Sequence, residues 1–93
     1  MLADEAEQVV AALVAQRVFA HVWRGTAGSN YGVRVVIADG REALWDADGA
    51  AGLEAQVLRD GVLVGFVPLI AGSAEFTLEQ TVAAIAEADY GDG

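Results

Sequence analysis

Residues 33–69 read VRVVIADGREALWDADGAAGLEAQVLRDGVLVGFVPL and decide the fold. Two Asp-Gly pairs, Asp39-Gly40 and Asp60-Gly61, each separate two apolar segments. An Asp-Gly pair in this setting is among the strongest short-range indications of a β-hairpin, because its residues accept the positive φ that tight hairpin turns require. The stretch therefore predicts two hairpins, one joining residues 33–37 to 41–46 and one joining residues 53–59 to 62–69.

The alternation of side chains sets the register of each hairpin. In the first, a two-residue loop would bring Glu42 and Asp46 onto the apolar face. A three-residue loop with a bulge, from Ala38 to Gly40, instead aligns an apolar set: Val33, Val35, Ile37, Ala43 and Trp45. In the second, a two-residue Asp60-Gly61 turn aligns another such set: Leu53, Ala55, Val57, Val64 and Phe66.

The opposite face of the predicted sheet is also partly apolar. Among charged and polar side chains it carries Val36, Leu44, Leu58, Leu63, Val67 and Leu69. A sheet with one face wholly open to water alternates more strictly than this. We therefore expect a cover on part of this face, supplied by a helix, a second copy of the chain or a partner.

Helices are predicted on both sides of the hairpins. Residues 4–18 place apolar side chains at helical spacing, and Asp4 with Glu7 forms a capping-box pattern. A second helix is predicted from Thr77, with Gln80 as its capping partner, to about Tyr90. Residues 18–24 suit a strand, and residues 25–32 a glycine-rich loop. The expected fold is one α+β domain, residues 1–93, with an antiparallel sheet of four to five strands between two helices, in the order α-β-β-β-β-β-α.

Composition narrows the classes of function. The 93 residues hold five arginines and no lysine against fourteen carboxylates, a net charge of −9. Phosphate backbones and anionic membranes repel such a chain, so we expect no direct contact with nucleic acid or membrane. No stretch is long and apolar enough to span a bilayer, and no secretory signal is apparent, which favours the cytoplasm.

Chemistry-bearing motifs are sparse. His21, the single histidine, sits in an apolar stretch without a triad partner, and the glycines of residues 25–32 match no nucleotide-binding fingerprint. Asp46, Asp48 and Gly49 match only a fragment of a calcium-binding loop, and there is no cysteine. We therefore predict no catalytic residue, no metal site and no cofactor, and we predict that the protein is not an enzyme.

Protein binding is the function that remains. Large aromatic side chains and arginine are enriched at interface hot spots, and the sequence offers four for partner contact: Trp23, Arg24, Tyr31 and Arg34. We expect a protein–protein interaction module that forms a homodimer, whose carboxylates select a basic partner. The alternatives are an acidic nucleic-acid mimic that inhibits a DNA-binding protein or nuclease, and a structural subunit of a larger assembly.

The overall composition, acidic, free of lysine and rich in residues with GC-rich codons, resembles that of small proteins of actinobacteria and their phages. Many such phage proteins bind and disable a protein of the host. The resemblance implies a modulator of a host protein here and names no target.

Overall fold

The computed structural model describes residues 1–24, 30–46 and 52–91. It contains two α-helices, α1 (Ala3–Ala15) and α2 (Leu78–Ala86), and a short 3₁₀ helix at Ser73–Glu75. Five strands lie between the helices: β1 (Ala20–Arg24), β2 (Tyr31–Val36), β3 (Arg41–Trp45), β4 (Ala55–Arg59) and β5 (Val62–Val67). They form one antiparallel sheet in the order β1-β2-β3-β4-β5, so the predicted α+β layout is confirmed.

The first hairpin has the predicted register. Val33 pairs with Trp45 and Val35 with Ala43, while the Ile37 amide donates to the Arg41 carbonyl across the loop from Ala38 to Gly40. Gly40 adopts a φ of +92°, which a side chain would make costly. This register places the Trp45 side chain fully inside the protein.

The second hairpin has the predicted turn but not the predicted face. Arg59 pairs with Val62 around Asp60 and Gly61, both at positive φ. A register shift between Val57 and Leu58 then inserts one extra residue in β5, so Val57 pairs with Gly65 rather than with Val64. The prediction that Val64 and Phe66 join the core face is therefore wrong, and both side chains are exposed.

Both helices pack on the same face of the sheet. Val9 and Leu13 of α1 and Val82 and Ile85 of α2 join the buried strand residues in a single core cluster. Each such side chain, once buried, stabilises the fold by about 1.5–3 kcal/mol before conformational entropy is subtracted. Val14, one of the apolar residues at helical spacing in the predicted helix, is more than half exposed and does not join this core.

A capping box was predicted at the start of each helix, and only the one at α2 is present. At α2 the Thr77 hydroxyl accepts from the Gln80 amide and the Gln80 side chain accepts from the Thr77 amide, as predicted. At α1 the N-cap is Leu2, with no side-chain cap, so the predicted box of Asp4 and Glu7 does not form. The helix spans Ala3–Ala15 rather than the predicted residues 4–18.

Candidate functional site: the helix-free face of the sheet

The side of the sheet opposite the helices is the helix-free face. By strand register its side chains are those of His21, Trp23, Arg34, Val36, Glu42, Leu44, Gln56, Leu58, Leu63 and Phe66. Both helices of the described ranges lie on the other side of the sheet. Neither of them therefore supplies the cover that the sequence led us to expect on this face.

Phe66 is the most exposed of the large apolar side chains assigned to this face. It lies opposite Gln56 in the β4–β5 ladder and is 68% exposed. Its neighbour on the same strand and face, Leu63, is 58% exposed. Without the extra residue in β5, alternation would turn Phe66 towards the helices, so the bulge puts this aromatic ring in solvent.

A groove of about 230 Å³ lies beside Phe66. Leu44, Gln56 and Leu63 line it together with Phe66, and Glu54 stands at its rim. Leu44 is only 8% exposed even though no helix covers this face in the described part of the chain. The projecting Phe66 ring and an apolar groove therefore lie side by side on the helix-free face.

The charge of the helix-free face is close to balanced. Arg34 forms an ion pair with Glu42 across β2 and β3, with 2.8 Å between the Arg34 Nη2 and Glu42 Oε2 atoms. Both side chains are about one-third exposed, so solvent screens the pair and it contributes at most about 1 kcal/mol to stability. With Glu54 at the rim, the described residues of this face include one arginine and two glutamates.

The four predicted contact residues do not share one face. Trp23 and Arg34 lie on the helix-free face, where Trp23 is half-buried and pairs with Gly32. Arg24 and Tyr31 pair with each other and, by alternation, point to the helix side at the end of the sheet. Sequence reasoning placed Leu63 on this face but assigned Phe66 to the core face, because residues at alternate positions of β5 are apolar on both sides and alternation does not reveal the bulge.

The helix layer has the opposite character. Exposed carboxylates stand on α1, α2 and the segments next to α2: Asp4, Glu5, Glu7, Glu75, Glu79, Glu87 and Asp89. Neither helix has a basic residue in its last turn. The chain therefore presents an acidic layer on one side and a nearly neutral, apolar face on the other.

Two buried polar contacts fix the ends of the chain. The Met1 ammonium forms a buried ion pair with the Asp46 carboxylate and also donates to the Asn30 Oδ1 atom at 2.9 Å. Asp46 is thus engaged by the N-terminus. Asp48 and Gly49, the other residues of the predicted calcium fragment, lie outside the described residues, as does the glycine-rich stretch 25–29.

At the other end, Arg41 holds the segment after α2. Its side chain is 7% exposed and donates to the carbonyls of Tyr90 (2.7 Å) and Gly91 (2.9 Å) and to the Asp39 carboxylate (2.7 Å). The predicted second helix extended to about Tyr90, but α2 ends at Ala86, and Tyr90 instead accepts a hydrogen bond from the Trp45 indole at 3.0 Å.

These contacts shift two pKa values. Desolvation raises the pKa of Asp39, but hydrogen bonds from Arg41 and the charges of Arg41 and Arg59 outweigh it and leave that pKa below its usual value. Burial raises the pKa of the Tyr90 hydroxyl, and the hydrogen bond from Trp45 lowers it in part, leaving it above its usual value. Both groups brace the fold rather than face the helix-free surface.

Among the described residues, no group of histidine, aspartate and glutamate side chains is arranged to hold a metal ion. The same residues contain no helix long and apolar enough to cross a membrane. His21 is exposed on the helix-free face, opposite Arg34.

Comparison of the chain with known protein families, with curated proteins and with solved structures finds no match in any of the three.

Proposed function

We propose that this chain is a non-enzymatic protein–protein interaction module that contacts its partner through the helix-free face. The observation that carries the proposal is the position of Phe66, an aromatic side chain held 68% exposed beside an apolar groove. Aromatic anchors next to well-packed apolar contacts are typical of interface hot spots. Burying a phenylalanine exposed to this degree stabilises a complex by about 1–2 kcal/mol.

The rigid setting of the groove supports the same conclusion. Leu44 lies on β3 and Gln56 on β4, and both strands are paired on each side within the five-stranded sheet. Trp45 anchors β3 to the core. A surface built on paired strands loses little conformational entropy when a partner binds. Trp23 and Arg34 extend the surface towards β1 and supply the aromatic and arginine contacts that interfaces favour.

The acidic helix layer supports a separate preference for basic partners. Its carboxylates lie on the opposite side of the sheet from the helix-free face, so they would attract a positively charged protein to the helix layer and not to the apolar face. The same layer favours one alternative, an acidic nucleic-acid mimic that occupies the DNA site of another protein. Mimicry predicts a complex that dissociates as salt rises from about 0.05 M to about 0.5 M, whereas apolar docking persists.

A photo-crosslinking experiment tests the proposal. A photoreactive phenylalanine analogue is placed at position 66 or at position 2, and the protein is irradiated in the cells that express it. Leu2 is the matched control because it is 70% exposed, as much as Phe66, but it is the N-cap of α1 on the helix side of the sheet. We expect a discrete protein adduct from position 66 and none from position 2; equal or absent labelling at the two positions would overturn the proposal.

A further inference from the structure

We infer that the occupant of the helix-free face is a second copy of this chain, packed face to face about a two-fold axis, with the Phe66 ring of each copy in the groove of the other. The inference rests on the proposed function and names the partner for the same surface. Four features of the described residues support a second copy: the shape of the face, its charge, its area and the irregular edge of β5.

Shape is the first feature. A two-fold interface brings the same patch of both copies together, so the patch must be complementary to itself. The helix-free face meets this condition because it carries a projecting group, Phe66, and an apolar depression lined by Leu44 and Leu63 at the same place. When one copy is rotated onto the other, each ring meets the other copy's depression.

Charge is the second feature. With a net charge of −9, two copies repel each other in most orientations. The helix-free face holds one arginine, Arg34, against Glu42 and Glu54, whereas the helix layer is lined by exposed carboxylates. Contact through the helix-free face therefore keeps the two acidic layers farthest apart, on the outside of the dimer.

Area is the third feature. Five strands of five or six residues cover roughly 24 Å by 18 Å, about 430 Å² in projection. Two such faces in contact, with the side chains that project from them, bury on the order of 1,000 Å², where specific interfaces begin. The expected dimer is therefore weak and concentration-dependent.

The edge of β5 is the fourth feature, because it argues against a dimer in which β5 of one copy adds to the sheet of the other. The register shift in β5 interrupts the regular spacing of its backbone groups, and Pro68, just after the strand, has no amide hydrogen. Bulges and prolines are devices by which exposed edge strands avoid adding another strand. The apolar side chains of the face remain free to pack.

Sedimentation equilibrium of the purified protein tests the inference. From about 1 μM to about 500 μM we expect the wild-type mass to rise from that of one chain to that of two. Phe66→Ser weakens the dimer at least about tenfold, which corresponds to removing the anchor of each copy. Leu2→Ser, a control of equal exposure at the N-cap of α1, leaves the dimerisation constant unchanged. Leu63→Ser supplies a second variant of the face should Phe66→Ser fold poorly.

Salt gives an independent readout. Raising the ionic strength from about 0.01 M to about 1 M shortens the Debye length from about 30 Å to about 3 Å and screens the repulsion between copies. We therefore expect the dimer to tighten with salt.

Three results would overturn the inference: a wild-type monomer at every concentration, a dimer insensitive to Phe66→Ser, and a dimer that dissociates as salt rises. A monomer whose position 66 still crosslinks to a different protein would overturn this inference and leave the proposed function standing. If the protein formed neither a dimer nor a crosslink from position 66, both this inference and the proposed function would be overturned.

Discussion

Gln56 and Phe66 lie directly opposite each other on β4 and β5, on the face of the sheet that no helix of the described ranges covers. The pairing exists because β5 has one residue more than β4 requires between the turn and this position. A regular two-residue hairpin would pair Phe66 with Ala55, a core residue that is 3% exposed. The inserted residue in β5 therefore moves the Phe66 side chain from the core face to the helix-free face, where it can contact a partner.

This relationship predicts that Phe66→Ser changes binding but not folding. Because Phe66 is mostly in solvent, we expect its substitution to change the free energy of unfolding by less than about 0.5 kcal/mol, measured by urea denaturation. Leu13→Ala, which opens a cavity at a fully buried position, should cost about 2–5 kcal/mol in the same assay. A cost for Phe66→Ser near that of Leu13→Ala would place the ring in the core and refute the account.

Arg41 and Arg59 allow a buried and an exposed arginine to be compared. They lie opposite each other on β3 and β4, and both contact Asp39. Arg41→Gln should destabilise the protein by about 2–4 kcal/mol, because it removes the buried donors that hold the Tyr90 and Gly91 carbonyls. Arg59→Gln should cost less than about 1 kcal/mol, because Arg59 is 40% exposed and 3.7 Å from the Asp39 carboxylate. Equal effects in urea denaturation would show that Arg41 does not anchor the C-terminal segment.

Tyr90 predicts a loss of stability at alkaline pH. Burial raises the pKa of its hydroxyl above the usual value of 10.0, so the folded state favours the neutral form. The stabilisation is therefore fully present below pH 10.0 and is lost as the pH rises through the higher pKa of the folded state. Tyr90→Phe lacks this dependence and should also cost about 1 kcal/mol at neutral pH, through the lost hydrogen bond with Trp45.

The measurement is urea denaturation from pH 7 to pH 11, with Tyr31→Phe as the control for removal of a tyrosine hydroxyl elsewhere. The wild type and Tyr31→Phe should both lose stability above about pH 10, while Tyr90→Phe stays flatter. An alkaline decline of equal size in Tyr90→Phe would mean that another group is responsible.

Asp46 predicts a cost for breaking the contact of the N-terminus. Asp46→Asn keeps the shape of the side chain and tolerates the φ of +55° at this position, but it leaves the Met1 ammonium without its buried counter-charge. We expect a loss of about 3 kcal/mol in the free energy of unfolding. Glu42→Gln, which breaks the solvent-screened pair with Arg34, should cost less than about 1 kcal/mol. A similar cost for the two variants would contradict the buried character of the Asp46 contact.

The contrast between the two hairpins shows how much of the fold the sequence could predict. In the first, Glu42 and Asp46 make the wrong register unfavourable, so alternation alone selected the three-residue loop that the structure contains. In the second, Val62, Leu63 and Val64 are all apolar, so either register fills the core face with suitable residues. Nothing in the pattern marked the bulge, and the predicted face of Phe66 was wrong for that reason.

The buried polar contacts of Arg41 and of Met1 could not be predicted from the sequence, for a different reason. Arg41 meets Tyr90, and Met1 meets Asp46, across 49 and 45 residues of chain. Such pairs depend on how the elements pack, which local periodicity does not encode. The candidate site shares this limit, because it is defined by the side of the sheet that the helices leave open, and both helices were predicted without a side.

The central claim is that the helix-free face is the contact surface, and amide chemical shifts recorded while the purified protein is diluted test it most directly. The account predicts concentration-dependent shifts confined to the helix-free face, centred on Leu44, Gln56, Leu63 and Phe66, with the amides of α1 and α2 unchanged. Shifts centred on the acidic residues at the start of α1, with Phe66 unchanged, would contradict it.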